Sequence, residues 1–235
     1  MQKNSGVTLS DKATMKVRIG IVLYAAFFVV LPGFSTKEEL IPQLGIIAPI
    51  EQDSLVYASG FRMLGESAGR MISPALTEKQ FQQNLIQIKK ARCKVVLCNI
   101  LFPGHIKIAG PDVNEKRVLG YADSLFSRAK RAGISFVILG SGAARHIPDY
   151  YDAGKAQSDF SVLCRKLAAI AGRYRIMIAL EGFQTAETNF LNTLQSAAEV
   201  VRAVNHPNFR LNADIFHMLR EGELPQSIVD AADVL

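Results

Sequence analysis

From residue 44 onward, apolar and polar positions follow two alternating patterns. Short apolar runs rich in β-branched residues predict strands, and longer stretches with apolar residues every three or four positions predict helices. The predicted strands cover residues 44–47, 61–64, 94–100, 135–139, 176–180 and 210–213. This alternation is typical of repeated βα units that build a parallel sheet.

Three apolar stripes mark helices between these strands. They are Phe81, Leu85 and Ile88; then Val118, Tyr121, Leu125 and Ala129; then Phe160, Leu163, Leu167 and Ile170. Gly133 closes the second of these helices shortly before a strand, which is a common way for a helix to end.

Polar residues gather at the ends of the predicted strands, and their placement bears on how the sheet is built. They are Glu66, Ser67, Asn99, residues 140–145, Glu181, Asp214 and His217. Side chains from successive strand ends converge on one point only when the sheet curls into a ring. A doubly wound sheet would offer one crevice instead, and no GxGxxG motif follows the first strand. The sequence therefore predicts an α/β fold, a (β/α)₈ TIM barrel that is truncated after the sixth βα unit.

The N-terminal segment has the layout of a secretory signal peptide. Lys16 and Arg18 precede an apolar stretch at 19–31, and small residues follow it at a plausible cleavage spacing. The stretch is shorter than the roughly 18 residues expected of a transmembrane helix. We expect export, with membrane contact only through this segment.

The expected domain boundaries follow from the same segment. Residues 1–35 form a signal peptide or N-terminal anchor with an upstream extension before Met15, and residues 36–235 form the incomplete barrel. The alternative is a cytoplasmic protein in which residues 18–30 are the first buried strand and helix. If that segment were a strand, Glu181 would follow the sixth strand and Asp214 the seventh, one strand later than in the family named below.

Composition narrows the class of protein further. With 235 residues, 49% of them apolar, the chain suits one well-buried domain. The net charge of +6 comes from scattered basic residues, and the densest group, at 89–94, lies where a helix passes into a strand. We therefore expect no nucleic-acid partner. Cys93, Cys98 and Cys164 show no metal-type spacing and are expected to be buried free thiols.

Two carboxylates stand directly after predicted strands. Glu181 follows IMIAL and Asp214 follows RLNA, with His217 one turn beyond. A charged carboxylate at the rim of a buried strand is costly unless a cation or hydrogen-bond donors meet it. A hard divalent ion such as Mg²⁺ or Mn²⁺ prefers such oxygen ligands. The alternative is that each carboxylate caps the next helix or pairs with an arginine.

Four segments resemble one known family. EGFQTAETNFLNT at 181–193 and NADIFHM at 212–218 are similar to strand ends of the sugar phosphate isomerase/epimerase family, relatives of xylose isomerase and of ketose 3-epimerases. GPDVN at 110–114 and LGSGAARHIPD at 139–149 extend the resemblance over most of residues 44–235.

The resemblance implies a reaction and a site. Glu181 and Asp214 match metal ligands of the family. The expected metal is Mn²⁺ or Mg²⁺, and Co²⁺ and Zn²⁺ are the alternatives. Glu181 would also move a proton through an enediolate intermediate. Glu187 and His217 match contacts to the oxygens of a sugar or sugar phosphate. Arg145 would neutralise an anionic group beside the pocket, or else form a surface salt bridge. Assembly of the chain into a homo-oligomer is a further possibility that the resemblance leaves open.

The sequence also departs from the family. Its remaining ligands, a histidine after the seventh strand and a glutamate after the eighth, are not among residues 1–235. We expect a fragment or truncated reading frame rather than a functional six-stranded enzyme. The alternatives are a non-catalytic carbohydrate-binding relative and a nuclease related to abasic-site endonucleases. The nuclease is disfavoured because the chain has four histidines and no basic stripe.

Overall fold

The structure, a computed structural model, describes residues 44–235. The predicted signal peptide or anchor at residues 1–35 lies outside the described residues and stays a prediction. Within the described part, no helix combines the length and the apolar character that crossing a membrane requires.

Six parallel strands form one open sheet in which each strand pairs with the next one along the chain. They are β1 (Gly45–Ile47), β2 (Met63–Ser67), β3 (Lys94–Asn99), β4 (Phe136–Leu139), β5 (Met177–Glu181) and β6 (Phe209–Asn212). This sequential parallel order confirms the predicted fold class, a partial TIM barrel. Because all strands run the same way, their carboxyl ends meet at one edge of the sheet.

Helices connect the strands and cover the sheet. Within residues 44–235 they are α1 (Asp53–Ala58), α2 (Ala68–Met71), α3 (Glu78–Lys90), α4 (Glu115–Ala132), α5 (Gly142–Arg145), α6 (Ala153–Tyr174), α7 (Leu194–Val204), α8 (Ile215–Arg220) and α9 (Gln226–Asp230). The neighbouring helices α4 and α6 pack against each other, as do α6 and α7.

The three predicted apolar stripes are confirmed as the core faces of α3, α4 and α6. Their fully buried members are Phe81, Val118, Leu125, Ala129, Phe160, Leu163 and Leu167. Local signals set the helix ends. A capping box between Thr77 and Gln80 begins α3, and Gly133 ends α4 with a φ of 73° that suits a residue without a Cβ.

Strand β2 differs from its prediction, because it runs to Ser67 instead of ending at Leu64. The apolar pattern stops at Leu64, but backbone pairing with β3 continues through Glu66 and Ser67. The buried Glu66 carboxylate accepts hydrogen bonds from the backbone N–H groups of Ile50 and Ser67 and from Arg70. It is therefore occupied by structural contacts, and it lines none of the cavities described below.

The three cysteines are buried and unpaired, as predicted. Burial raises the pKa of the Cys98 thiol to about 12, so this thiol stays protonated at neutral pH.

Candidate active site

A cavity of about 970 Å³ runs along the inner face of the sheet and reaches the carboxyl ends of the strands. Four of the predicted site residues line it, namely Glu181, Glu187, Asp214 and His217. The lining contains no lysine or arginine among the described residues, so the charge of this cavity is acidic. The structure thus brings four of the five predicted site residues together.

Glu181 ends β5 and points its carboxylate at the cavity with 8% of the residue exposed. Its backbone pairs with Asn212 of β6, and Asn212 Nδ2 donates a 2.8 Å hydrogen bond to Glu181 Oε2. Burial raises the pKa of Glu181 to about 7, and the nearby charges of Asp214 and Glu187 act in the same direction. The Asn212 hydrogen bond opposes this shift because it favours the ionised form.

Gly140, directly after β4, makes room for this carboxylate. A Cβ at Gly140 would collide with Glu181 Oε1 and would come within 2.5 Å of the Phe183 ring. Any larger residue at position 140 would therefore push Glu181 out of its place. The side-chain position of Glu181 depends on a glycine that directly follows the neighbouring strand β4.

Arg145 lies behind Glu181 and outside the cavity lining. Its side chain is fully buried, and Nη1 donates a 2.8 Å hydrogen bond to the backbone carbonyl of Glu181. The guanidinium also lies 4.8 Å from the centre of the Phe183 ring. Burial lowers the pKa of Arg145 to about 10. The structure therefore places Arg145 in contact with the strand end that carries Glu181, and neither in the predicted substrate pocket nor in a surface salt bridge.

Asp214 follows β6 and caps α8. Its Oδ1 accepts hydrogen bonds from the backbone N–H groups of Phe216 at 2.9 Å and His217 at 3.2 Å. The alternative that this carboxylate caps the next helix is thus realised by one of its oxygens. The other oxygen, Oδ2, has no hydrogen bond to the described residues and stays free for a ligand in the cavity.

His217 is held by contacts from the loop after β5. Its ring stacks on Phe183 with the centroids 4.2 Å apart. The backbone N–H of Gln184 donates to His217 Nδ1 at 3.4 Å, so in the neutral ring the proton lies on Nε2. Glu187 Oε1 is 3.9 Å from Nδ1, too far for a hydrogen bond, and accepts from Gln184 Nε2 at 2.7 Å instead.

The donor chemistry of the site fits a divalent cation in part. Glu181 Oε1 and Asp214 Oδ2 are carboxylate oxygens without hydrogen-bond partners among residues 44–235, and the Asp214 charge raises the pKa of Glu181. A cation between such groups would relieve their repulsion. Within residues 44–235, however, no group of three or more His, Cys, Asp or Glu side chains is close enough to hold a metal. The described residues thus offer two carboxylate oxygens to a cation, Glu181 Oε1 and Asp214 Oδ2.

Two functional candidates had weaker signals in the sequence. Asn212 precedes Asp214 by two positions, but its bond to Glu181 depends on strand register, which the sequence pattern does not give. Asn99 ends β3 and lines the cavity, and its buried Oδ1 has no hydrogen-bond partner among the described residues. Its position at a strand end was the available signal.

Comparison with known proteins identifies the family to which this chain is similar. A family model described as a xylose isomerase-like TIM barrel matches residues 55–234. No curated protein matches the chain.

Solved structures with the same fold include several chemistries. D-Psicose 3-epimerase from Clostridium cellulolyticum H10, in a structure with D-tagatose, is 18% identical with a TM-score of 0.66 over 81% of this chain and 70% of that chain. AP endonuclease, family 2, from Brucella melitensis is 17% identical with a TM-score of 0.66 over 83% and 77%. The IolI protein, whose structure holds a zinc atom, is 16% identical with a TM-score of 0.61 over 80% and 68%. At these identities the likeness shows the fold alone.

Proposed function

The chain belongs to the xylose isomerase-like TIM barrel family, and on that premise we propose that it is a metal-dependent isomerase or epimerase of sugars or sugar phosphates. The observation that supports this most directly is the buried carboxylate of Glu181, which faces the cavity and whose Oε1 has no hydrogen-bond partner among residues 44–235. A carboxylate placed beside bound substrate can both take and return a proton. Epimerases among the structural neighbours agree with this chemistry.

In the proposed reaction Glu181 removes the proton from the carbon next to the sugar carbonyl. The electron pair of the C–H bond moves toward the carbonyl oxygen, which gives an enediolate. Return of a proton to the opposite face of that carbon, from a second acid, restores the carbonyl and gives the epimer. The isomer forms instead when a proton is added to the former carbonyl carbon while the hydroxyl proton of the neighbouring carbon moves to the former carbonyl oxygen.

A divalent ion would supply positive charge next to the developing enediolate oxygens. We propose Mn²⁺ or Mg²⁺ for this ion, with Co²⁺ and Zn²⁺ as the alternatives. Glu181 and Asp214 would hold this ion through the two oxygens that have no other partner in residues 44–235.

Glu187 and His217 are placed to orient the sugar. Both line the cavity, and the free Nε2–H of a neutral His217 can donate to a sugar hydroxyl. The Glu187 carboxylate can accept from hydroxyls while Gln184 holds one of its oxygens. The Phe183 ring behind His217 fixes the plane of the imidazole.

Proton exchange tests the proposal. The full chain is incubated with Mn²⁺ in D₂O with D-psicose, D-tagatose or D-fructose, and deuterium uptake next to the carbonyl is followed by NMR. We expect Glu181→Gln to slow exchange by about a hundredfold or more, as loss of a general base does. Glu199→Gln, an exposed carboxylate in α7, is the matched control and should leave exchange unchanged.

Metal binding is measured separately by calorimetric titration with Mn²⁺. We expect both Glu181→Gln and Asp214→Asn to weaken Mn²⁺ binding, while Glu199→Gln does not. Sugar binding that is indifferent to both substitutions, without exchange in the unaltered chain, would contradict the proposal and favour a non-catalytic carbohydrate-binding relative. Cleavage of abasic DNA would favour the nuclease instead.

A further inference from the structure

A second cavity of about 540 Å³ adjoins the first at the end of β3. Ile100 lines both cavities, and the residues after it alternate between them. Phe102 and Gly104 face the first cavity, whereas Pro103 and His105 face the second. The two cavities are therefore separated by a single loop and open at the same end of the sheet.

The charges of the two cavities are opposite. The first is lined by Glu181, Glu187 and Asp214, whereas the second is lined by Arg117 and His105 and by no aspartate or glutamate of the described part. A ligand that spans them would meet a cation-binding, acidic site at one end and a basic site at the other. Charge complementarity of this kind selects ligands with an anionic end.

The arginine of the second cavity, Arg117, is exposed, and its side chain has no partner among residues 44–235. The Arg117 guanidinium makes no hydrogen bond or ion pair with residues 44–235, while its backbone N–H is fixed by Asn114 Oδ1 at 3.0 Å in the first turn of α4. A free guanidinium offers several N–H donors in the fork geometry that matches phosphate and carboxylate oxygens.

Tyr121 supplies a further donor one turn along α4. Its hydroxyl lies 3.3 Å from Ser73 Oγ, and both residues line the second cavity. Ser73 Oγ accepts a 3.2 Å hydrogen bond from the Ala75 N–H, and either hydroxyl can be the donor between Ser73 and Tyr121. When Ser73 donates to the Tyr121 oxygen, the phenol proton of Tyr121 is available to a ligand.

Ile100, at the boundary, has an unusual backbone. Its φ is 58°, in the left-handed region that β-branched residues rarely adopt, and 51% of the residue is exposed. Such backbone is retained where the surrounding structure enforces it, and it clusters at ligand sites. The strained residue stands between the two cavities.

From this arrangement we propose that the second cavity binds the anionic end, a phosphate or carboxylate group, of the sugar whose carbonyl end lies in the first cavity. Arg117 pairs with the anion, and His105 and Tyr121 donate further hydrogen bonds. The inference rests on the proposed function and narrows its substrate class to sugar phosphates or sugar acids.

Inorganic phosphate provides the first test, by calorimetric titration of the full chain. We expect Arg117→Gln to weaken phosphate binding about tenfold or more, since a hydrogen bond to a charged group is lost. Lys116→Gln is the matched control, because Lys116 is an exposed neighbour on the same helix turn that does not line the cavity. Binding changes of less than about twofold are expected for this control. An equal loss in both variants would mean diffuse attraction and would overturn the proposal.

The second test separates a substrate group from a free anion. D-Fructose 6-phosphate should bind the unaltered chain more tightly than D-fructose, and Arg117→Gln should remove most of that difference. Equal binding of the two sugars, or a preference that survives Arg117→Gln, would overturn the inference. Glu181→Gln should leave phosphate binding intact. Absent proton exchange with intact phosphate binding would therefore overturn the proposed function alone.

Discussion

The electrostatic state of Glu181 leads to a direct prediction about stability. In the metal-free protein, burial raises the pKa of this carboxyl from an ordinary 4.5 to about 7. The folded state then binds its proton more tightly than the unfolded state does. Stability contributed by the protonated group is complete below about pH 4.5 and is lost as the pH rises to about 7.

The size of the effect follows from the same shift. A difference of about 2.5 pH units between 4.5 and 7 corresponds to about 3 kcal/mol at pH 8. Glu181→Gln keeps the shape and can still accept from Asn212, but it carries no charge. We expect the variant to unfold with nearly the same free energy as the unaltered chain at pH 4.5, and to be more stable by up to about 3 kcal/mol at pH 8.

The assay is urea unfolding at a series of pH values in the presence of a chelator. The quantity of interest is the difference between the unaltered chain and Glu181→Gln, because other groups shift both curves alike. Glu199→Gln, which removes an exposed carboxylate, should give a difference that stays flat with pH. A flat difference for Glu181→Gln as well would refute the argument, because it would mean that folding does not desolvate this carboxyl.

Three further predictions concern the surroundings of the site and the N-terminus. Gly140→Ala should displace Glu181, destabilise the fold by about 1–3 kcal/mol in urea unfolding and weaken Mn²⁺ binding, because its Cβ has no space. Gly154→Ala, where the nearest atom is at 3.4 Å, should do neither. Arg145→Met should leave the free energy of unfolding within about 1 kcal/mol of that of the unaltered chain, because it removes both the donor to the Glu181 carbonyl and a buried cation whose Nε and Nη2 have no partner among residues 44–235. A loss of about 3 kcal/mol in urea unfolding would contradict this balance. We also propose that residues 1–35 direct export. Fused to a reporter enzyme that is active only after export, this segment should give reporter activity, and Phe27→Asp should abolish that activity. Equal reporter activity with and without Phe27→Asp would contradict a signal peptide.

Much of the fold could be predicted from the sequence because its signals are local. The six strands and the core faces of α3, α4 and α6 follow from apolar periodicity, which is a property of neighbouring positions. The strand-end positions of Glu181 and Asp214 follow in the same way. The end of β2 was harder to predict, because pairing with β3 extends past the apolar run into Glu66.

The environment of each side chain could not be predicted from the sequence. Arg145 lies in a polar loop segment that suggests exposure, yet the folded chain buries it beneath the end of β5. Likewise the sequence shows Gly140 as one small residue of a loop, and its closeness to Glu181 arises only when β4 and β5 pair.

The sequence by itself determined which residues lie at the carboxyl ends of the strands, because the patterns that predict strands and helices depend on residues only a few positions apart. The tertiary structure decided which of those residues share a cavity and which are desolvated, as Glu181 is. These properties depend on register and packing between segments far apart in the chain, and the free energy of a charge depends on everything that surrounds it.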